Sequence, residues 1–314
     1  MIRRQSALEF ERLRPLKRTL HALGDSHVFR LLDNEGSSPT LPPVPLDLRQ
    51  YEAVLLDLDG TVYHEDHALP GAVELIRRLQ ERKRKYACLT NSTMDPARIA
   101  ARLLQMGVEV DPDHIYPAAS AAADYVMEHC SDPQRGMPRV FNLATEGIRD
   151  LLEGKVHWVE SGTEPCDAVI SGVPLNVFAT NERQRLAMLL LRQGAALVAI
   201  CADRIYPSPR GLEFGVGAMA AMLAYAADVE PIYCGKPEKL FFQELCHRLK
   251  VDPTKCVLIG DNPESDISGG RGVGMRTILT LSGITTPKDI DQLPPEHRPD
   301  AVITDLRDLA LVPV

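Results

Sequence analysis

No stretch of this 314-residue chain approaches the roughly 20 consecutive apolar residues that a bilayer-spanning helix requires. Positive charge is not in excess either. The net charge is −8, so there is no basic footprint for nucleic acid. The one basic run, Arg82-Lys83-Arg84-Lys85, falls at the end of an expected helix, where it reads as a solvated face favoured by the helix C-terminal dipole. Cysteine is present but unpatterned. The seven thiols form no C-x-x-C pair, and Cys88, Cys201 and Cys256 sit inside apolar runs. That is the usage of small buried hydrophobes in a reducing compartment, not of a disulfide scaffold. Residues 1–18 are rich in arginine but carry no continuous hydrophobic segment, and Glu9 and Glu11 argue against an organellar transit peptide. The expectation is a cytoplasmic protein with neither a membrane nor a nucleic-acid partner.

What is present is more specific. Residues 54–61 read V-L-L-D-L-D-G-T: an apolar strand that releases two carboxylates, Asp57 and Asp59, at its carboxyl end, followed at once by a Gly-Thr turn. From there the chain alternates strand and helix. Strand 53–58 is followed by a helix with Val73, Ile76 and Leu79 on one face, strand 86–90, a helix opened by Asp95-Pro96 and closed at Gly107, and an alanine-rich helix over 118–129. A second alternating series fills 139–201, with strands near 140–143, 168–170 and 196–200 and helices near 145–153 and 181–193, and a helix near 216–227 completes it. The first series then resumes with 231–235, helix 238–249, strand 257–261, helix 264–271 and strands 277–281 and 301–304. Such alternation predicts an α/β fold, a Rossmann-like parallel sheet covered on both faces. The interruption predicts an inserted α/β cap domain over 131–230, splitting the core into 51–130 and 231–314. Residues 1–50 stand apart. Leu8, Leu13, Leu16, Leu20 and Leu23 would line short helices broken at Pro15, and Ser37 to Pro45 form a proline-rich connector. Packing on the body, oligomerisation and partial disorder all remain open for this arm.

Open α/β sheets bind ligands beyond the carboxyl ends of their strands. Four strands here end in residues suited to one site: Asp57 and Asp59; Thr90-Asn91-Ser92; Gly235-Lys236-Pro237; and Gly260-Asp261-Asn262, with Asp266 beyond. The charges suit phosphoryl chemistry. A carboxylate approaching a phosphate is repelled by about 4 kcal/mol per pair of unit charges at 4 Å and an effective dielectric near 20. A divalent cation and a lysine reverse that repulsion, while hydroxyl and amide donors hold the equatorial oxygens.

In this order, D-L-D-G-T, T-N, G-K-P and G-D-N-P-E-S-D resemble the haloacid dehalogenase-like phosphatases. The interval from Asp57 to Thr90 is too short for a cap, whereas that from Thr90 to Lys236 is long, which resembles the NagD-like subclass. The resemblance covers about 51–310. It implies that Asp57 attacks phosphorus to give an aspartyl-phosphate and that Asp59 serves as acid and then base. It further implies that Thr90, Asn91 and Lys236 bind the transferred group. Mg²⁺ would be held by the side chains of Asp57 and Asp261 and by the Asp59 backbone carbonyl, with Asp266 supporting Lys236 or the metal loop. The acid at position 59 favours ester hydrolysis over dehalogenation. The expected function is thus a Mg²⁺-dependent phosphatase for a small phosphorylated metabolite such as a nucleotide monophosphate, sugar phosphate or phosphoglycolate. A phosphotransferase and a non-catalytic binding protein on the same fold are the alternatives, and a homodimer through the cap is the family-level expectation.

Other motifs read more plainly. His64-Glu65-Asp66-His67 lacks the H-E-x-x-H arrangement and reads as a solvated loop near the site entrance. The glycines of 269–274 lack dinucleotide-fingerprint spacing and read as a helix-ending turn. Asp203, Arg204, Arg210, Glu213 and Phe214 follow the last cap strand and are expected to face the site, where substrate is chosen.

Overall fold

The computed structural model describes residues 47–130, 136–173, 178–208, 210–309 and 313–314. Ahead of them, the leucine-lined helices and proline-rich connector read in the N-terminal arm lie outside the described residues. The last residues of that arm, Leu48–Gln50, form a 3₁₀ turn capped by Asp47, and the buried Leu48 donates its N–H to the Pro313 carbonyl at 2.9 Å.

In chain order come β1 (Ala53–Asp57), β2 (Tyr63–His64), β3 (His67–Ala68), α1 (Ala72–Glu81), β4 (Lys85–Thr90), α2 (Pro96–Gln105), β5 (Ile115–Pro117) and α3 (Ala118–His129). There follow β6 (Arg139–Leu143), α4 (Glu146–Leu152), β7 (His157–Trp158), β8 (Ala168–Ser171), α5 (Asn181–Arg192), β9 (Ala196–Ala199), β10 (Ile205–Ser208), β11 (Gly211–Phe214) and α6 (Val216–Ala227). Last are β12 (Pro231–Tyr233), α7 (Lys239–Leu249), β13 (Cys256–Gly260), a π-helical turn over Pro263–Ser268, the short α8 (Gly269–Gly272), β14 (Arg276–Thr280), α9 (Pro287–Ile290) and β15 (Ala301–Ile303). No helix among the described residues is long and apolar enough to cross a membrane.

Every residue of β1 is buried, as a continuous apolar run covered on both faces should be. It is central in a six-stranded parallel sheet of order β15-β14-β13-β1-β4-β5. Side chains alternate between faces. Ala53 and Leu55 join one core cluster, with α3 and Phe241 and Phe242 of α7, while Val54 and Leu56 join the other, with α1 and with Ile99 and Leu103 of α2. The buried stripe of α1 is Ala72, Leu75, Ile76 and Leu79, the i, i+3, i+4, i+7 pattern. Val73, expected on this face, is exposed, being one position off the stripe. Asp95 caps α2 by accepting the Arg98 N–H at 3.0 Å, and Pro96 begins the helix, as expected from the sequence.

A second parallel sheet has the order β12-β9-β8-β6-β7. This corrects one expectation. Residues 231–235 were read as resuming the first sheet, but β12 pairs with β9 on the edge of the second. A proline at the first residue suits an edge strand, and a short apolar run does not reveal which sheet it joins. Leu190 and Leu191 of α5 are buried against the outer face of this sheet. Its inner face meets the first sheet through α3, whose alanines at 118, 119, 121, 122 and 123 are all buried and whose neighbours include α4, α7 and β9. Small side chains let this helix be packed from both sheets at once, so one core cluster runs through both.

Two short hairpins escaped sequence reading. The His64-Glu65-Asp66-His67 segment, exposed at all four positions as a solvated loop should be, is the tip of the β2–β3 hairpin, with His64 paired to His67. The β10–β11 hairpin lies between β9 and α6.

Candidate active site

The first sheet reverses its direction of growth between β1 and β13: successive strands run outward from β1 through β4 to β5 on one side and from β13 through β14 to β15 on the other. Ligands bind open α/β sheets at such a switch point. Asp57 is the last residue of β1 and Asp261 the first after β13, so both carboxylates emerge at it.

Beyond β1 the chain turns back sharply. The Leu58 carbonyl accepts from the N–H groups of Val62 at 2.8 Å and Tyr63 at 3.0 Å, and the Gly60 N–H donates to the Tyr63 carbonyl at 2.8 Å. Gly60 has φ +79°, and a Cβ there would overlap the Asp261 carboxylate, so only glycine satisfies both the turn and the approach. The hairpin that follows is tied down by Arg102 of α2, whose guanidinium lies 4.8 Å from the Tyr63 ring centre and donates to the Glu65 carbonyl at 2.8 Å.

Asp57, Asp261 and Asp266 offer carboxylate oxygens that all lie within 4.8 Å of one another. Lys236 enters this cluster: its ammonium contacts the Asp57 carboxylate and donates to Asp266 at 2.7 Å. All four are sequestered, with 5% of Asp57, 4% of Asp261, 4% of Lys236 and none of Asp266 exposed. Burial pushes the Asp57 carboxyl well up, Asp266 and Asp261 push it further, and Lys236 opposes them. Asp261 is raised to about 6, first by burial and then by Asp266, against the Ile284 N–H, which donates to its Oδ2 at 2.8 Å. Burial alone would lower Lys236, but Asp266 and Asp57 outweigh it and hold the ammonium above the usual lysine range. With all three carboxyls ionised, one ammonium leaves two net negative charges in a site nearly closed to water. Hard oxygen donors in such excess fit a divalent cation.

Asp59 stands at the mouth. The residue is exposed overall, yet its carboxyl is hemmed in enough that lost hydration raises it, opposed by His64, Arg102 and Lys236. It is not part of the carboxylate cluster. Thr90, at the end of β4, is buried, and its Oγ1 accepts the Ser92 N–H at 3.2 Å.

The Asn91 side chain is hydrogen-bonded within the protein. Its Nδ2 donates to the Lys236 carbonyl at 3.1 Å and to Asp203 at 3.2 Å, and its Oδ1 accepts the Lys236 N–H at 2.8 Å. The side-chain amide is thus engaged by protein groups. Lys236 arrives from a chain leaving the edge of the second sheet instead of from a strand end of the first. Of the residues expected to face the site from the last cap strand, Asp203 reaches it through Asn91. Arg210 and Glu213 pair with each other at 2.9 Å, and Arg204 and Phe214 are exposed. Asp266 supports Lys236 and, through Oδ2, accepts the Asn262 N–H at 3.1 Å.

Sequence reading missed the loop after β14. Besides the Ile284 contact, Thr285 Oγ1 donates to the Asp261 carbonyl at 2.7 Å and Ser282 Oγ to the Gly60 carbonyl at 2.8 Å. The signal was available, because L-S-G-I-T-T follows a strand at the same edge of the sheet.

The comparisons with known proteins agree with this geometry. A haloacid dehalogenase-like hydrolase family model matches residues 54–155, and a HAD-hydrolase-like model matches 233–309. The chain is 30% identical to the acid sugar phosphatase of Staphylococcus aureus over 253 residues, covering 80% of this chain and 95% of the relative. Among solved structures, the glycerol phosphate phosphatase of Mycobacterium tuberculosis in complex with magnesium is similar with a TM-score of 0.74 at 26% identity, covering 84% of this chain and 78% of that one. NagD from Escherichia coli K-12 is similar with a TM-score of 0.72 at 25% identity, covering 82% of this chain and 97% of that one.

Proposed function

This chain belongs to the haloacid dehalogenase-like hydrolases, as a NagD-like phosphatase, and from that we propose that it hydrolyses small phosphorylated metabolites through an aspartyl-phosphate on Asp57. The observation that carries the proposal is the contact of Asp57 with the Lys236 ammonium inside a cluster that still holds two further buried carboxylates.

An Asp57 oxygen attacks phosphorus as the bond to the leaving alcohol breaks, and Asp59 gives that alcohol its proton. Water then attacks the phosphorus of the Asp57 ester, Asp59 takes the proton from it, and phosphate leaves with Asp57 restored. The raised Asp59 carboxyl suits the acid half of this cycle, since a proton must be present to be given. Lys236 offsets charge on Asp57 and on the transferred group, and Thr90 donates its hydroxyl to a phosphoryl oxygen. Magnesium, held by the side chains of Asp57 and Asp261 and by the Asp59 carbonyl, would supply the positive charge that lets a carboxylate approach a phosphate. The glycerol phosphate phosphatase that resembles this chain was solved with magnesium and also with calcium, which supports a divalent cation at the site.

The second sheet is proposed to act as a cap over the carboxyl edge of the first, restricting entry to small esters: nucleotide monophosphates, sugar phosphates or phosphoglycolate. Phosphate release from a panel of these, with and without Mg²⁺, tests the reading. Activity on at least one ester should require the ion, and Asp57→Asn should abolish it. Retained turnover in that variant would sink the mechanism.

A further inference from the structure

Asp203 and Asn91 lie 112 positions apart in the chain and meet across the two sheets. Both carboxylate oxygens of Asp203 accept from Asn91 Nδ2 at 3.2 Å. The same side-chain amide holds the backbone of Lys236 twice, accepting its N–H at 2.8 Å and donating to its carbonyl at 3.1 Å. Turning the amide over would set NH₂ against N–H and oxygen against carboxylate, so one orientation is selected. Asp203 is itself braced. Cys201 Sγ donates to its carboxylate at 3.3 Å, and the Gly217 N–H at the start of α6 donates to its carbonyl at 2.8 Å. The packing is tight enough that a Cβ on Gly235, the residue before the lysine, would lie 2.6 Å from Asn91 Oδ1 and 2.7 Å from the Cys201 Cβ.

We propose that Asp203 is a positioning residue for the hydrolysis. It fixes the Asn91 amide, the amide fixes the backbone of Lys236, and the ammonium is thereby held between Asp57 and Asp266. The second sheet then contributes to the step shared by every ester, beyond selecting among esters. Misplacing a catalytic group by about 1 Å costs on the order of 100-fold in rate, so a clamp on the lysine backbone acts on kcat. A residue that reads the substrate acts on KM for the ester it reads. The inference rests on Lys236 serving the transferred group.

The test compares full-length wild type with Asp203→Ala, Asp203→Asn, Asn91→Ala, the Asp203→Ala/Asn91→Ala double variant and Lys236→Met. Substrates are 4-nitrophenyl phosphate and two alkyl phosphates that the wild type hydrolyses. Asp203→Ala should lower kcat by about 10- to 100-fold on all three by the same factor, with KM within about twofold. Asp203→Asn keeps an acceptor oxygen for Asn91 and should recover kcat to within about threefold of wild type. The double variant should be no slower than the worse single one. Unfolding midpoints separate lost positioning from lost fold, and the Asn variant carries the comparison if the Ala variant is unfolded. Unchanged kcat in Asp203→Ala, a loss confined to KM of one ester, or effects that multiply in the double variant would each overturn the clamp. An active Lys236→Met would overturn the role of the lysine itself. An inactive Lys236→Met beside a fully active Asp203→Ala would remove only the clamp.

Discussion

The backbone of Gly60 lies so close to the Asp261 carboxylate that no side chain fits between them, although the two residues belong to strand ends far apart in sequence. The turn after β1 and the acidic loop after β13 are therefore a single piece of machinery. Gly60→Ala adds a Cβ in a left-handed conformation, at about 1–2 kcal/mol, and pushes Asp261 aside. The expected outcome is a loss of that order in denaturant unfolding, together with Mg²⁺ affinity weakened at least tenfold in calorimetric titration. Unchanged affinity would show that Asp261 is not a metal ligand.

Lys236→Met should be inactive and, at neutral pH, less stable by about 3–5 kcal/mol, because it strands Asp57 and Asp266 as buried charges without their cation. Asp57, whose carboxyl burial already raises, can escape that penalty by binding a proton. The deficit relative to wild type should therefore shrink as the pH falls from 7 to 5, measured by urea unfolding across that range.

Burial, with Asp266 beside it, raises the Asp261 carboxyl to about 6, above the ordinary range of an aspartate. A carboxyl with a raised value in the fold binds a proton more tightly there than in the unfolded chain. Its contribution to stability is thus fully present below about pH 4 and lost as the pH rises through 6, on the order of 3 kcal/mol in the metal-free protein. Mg²⁺ must compete with that proton, so its affinity should climb between pH 5 and 7 and then level off. Metal-free and Mg²⁺-saturated melting curves over this range should diverge with increasing pH; parallel curves would remove Asp261 from the proposed ligand set.

Arg102 secures the hairpin beyond Asp59 through one ring contact and the Glu65 carbonyl. Arg102→Ala should release the hairpin with only about 1–2 kcal/mol of global destabilisation. Amides of residues 62–69 should exchange faster than those of β1 and β4 in hydrogen-exchange measurements. A uniform change across all of them would mean that the arginine supports the whole core instead.

Much of this architecture was legible because β1, β4 and β13 are largely apolar runs that lead into a polar residue. Asp57, Thr90 and Asp261 each follow such a run, so their convergence could be read from strand order alone. Lys236 was expected to follow a strand of the first sheet but follows β12 of the second, since the three residues of β12 fit either edge and only tertiary pairing decides. The side-chain partner of Asn91 was illegible for a related reason: its oxygen and NH₂ satisfy a backbone amide and a distant carboxylate as well as they would satisfy a phosphate. Two-residue strands such as β2 and β3 are too short to show alternation at all.

The placement of β12 has a further meaning for how such proteins diversify. A natural or engineered exchange of the second sheet joined before Pro231 would leave its edge strand behind, exposing the β9 backbone and a ribbon with nothing to pair with. Joined after Tyr233, the same exchange moves all five strands together and leaves the lysine with its host. With the second sheet in its proposed role of choosing the ester, the seam for exchanging that choice between relatives runs through the two residues separating Tyr233 from Lys236.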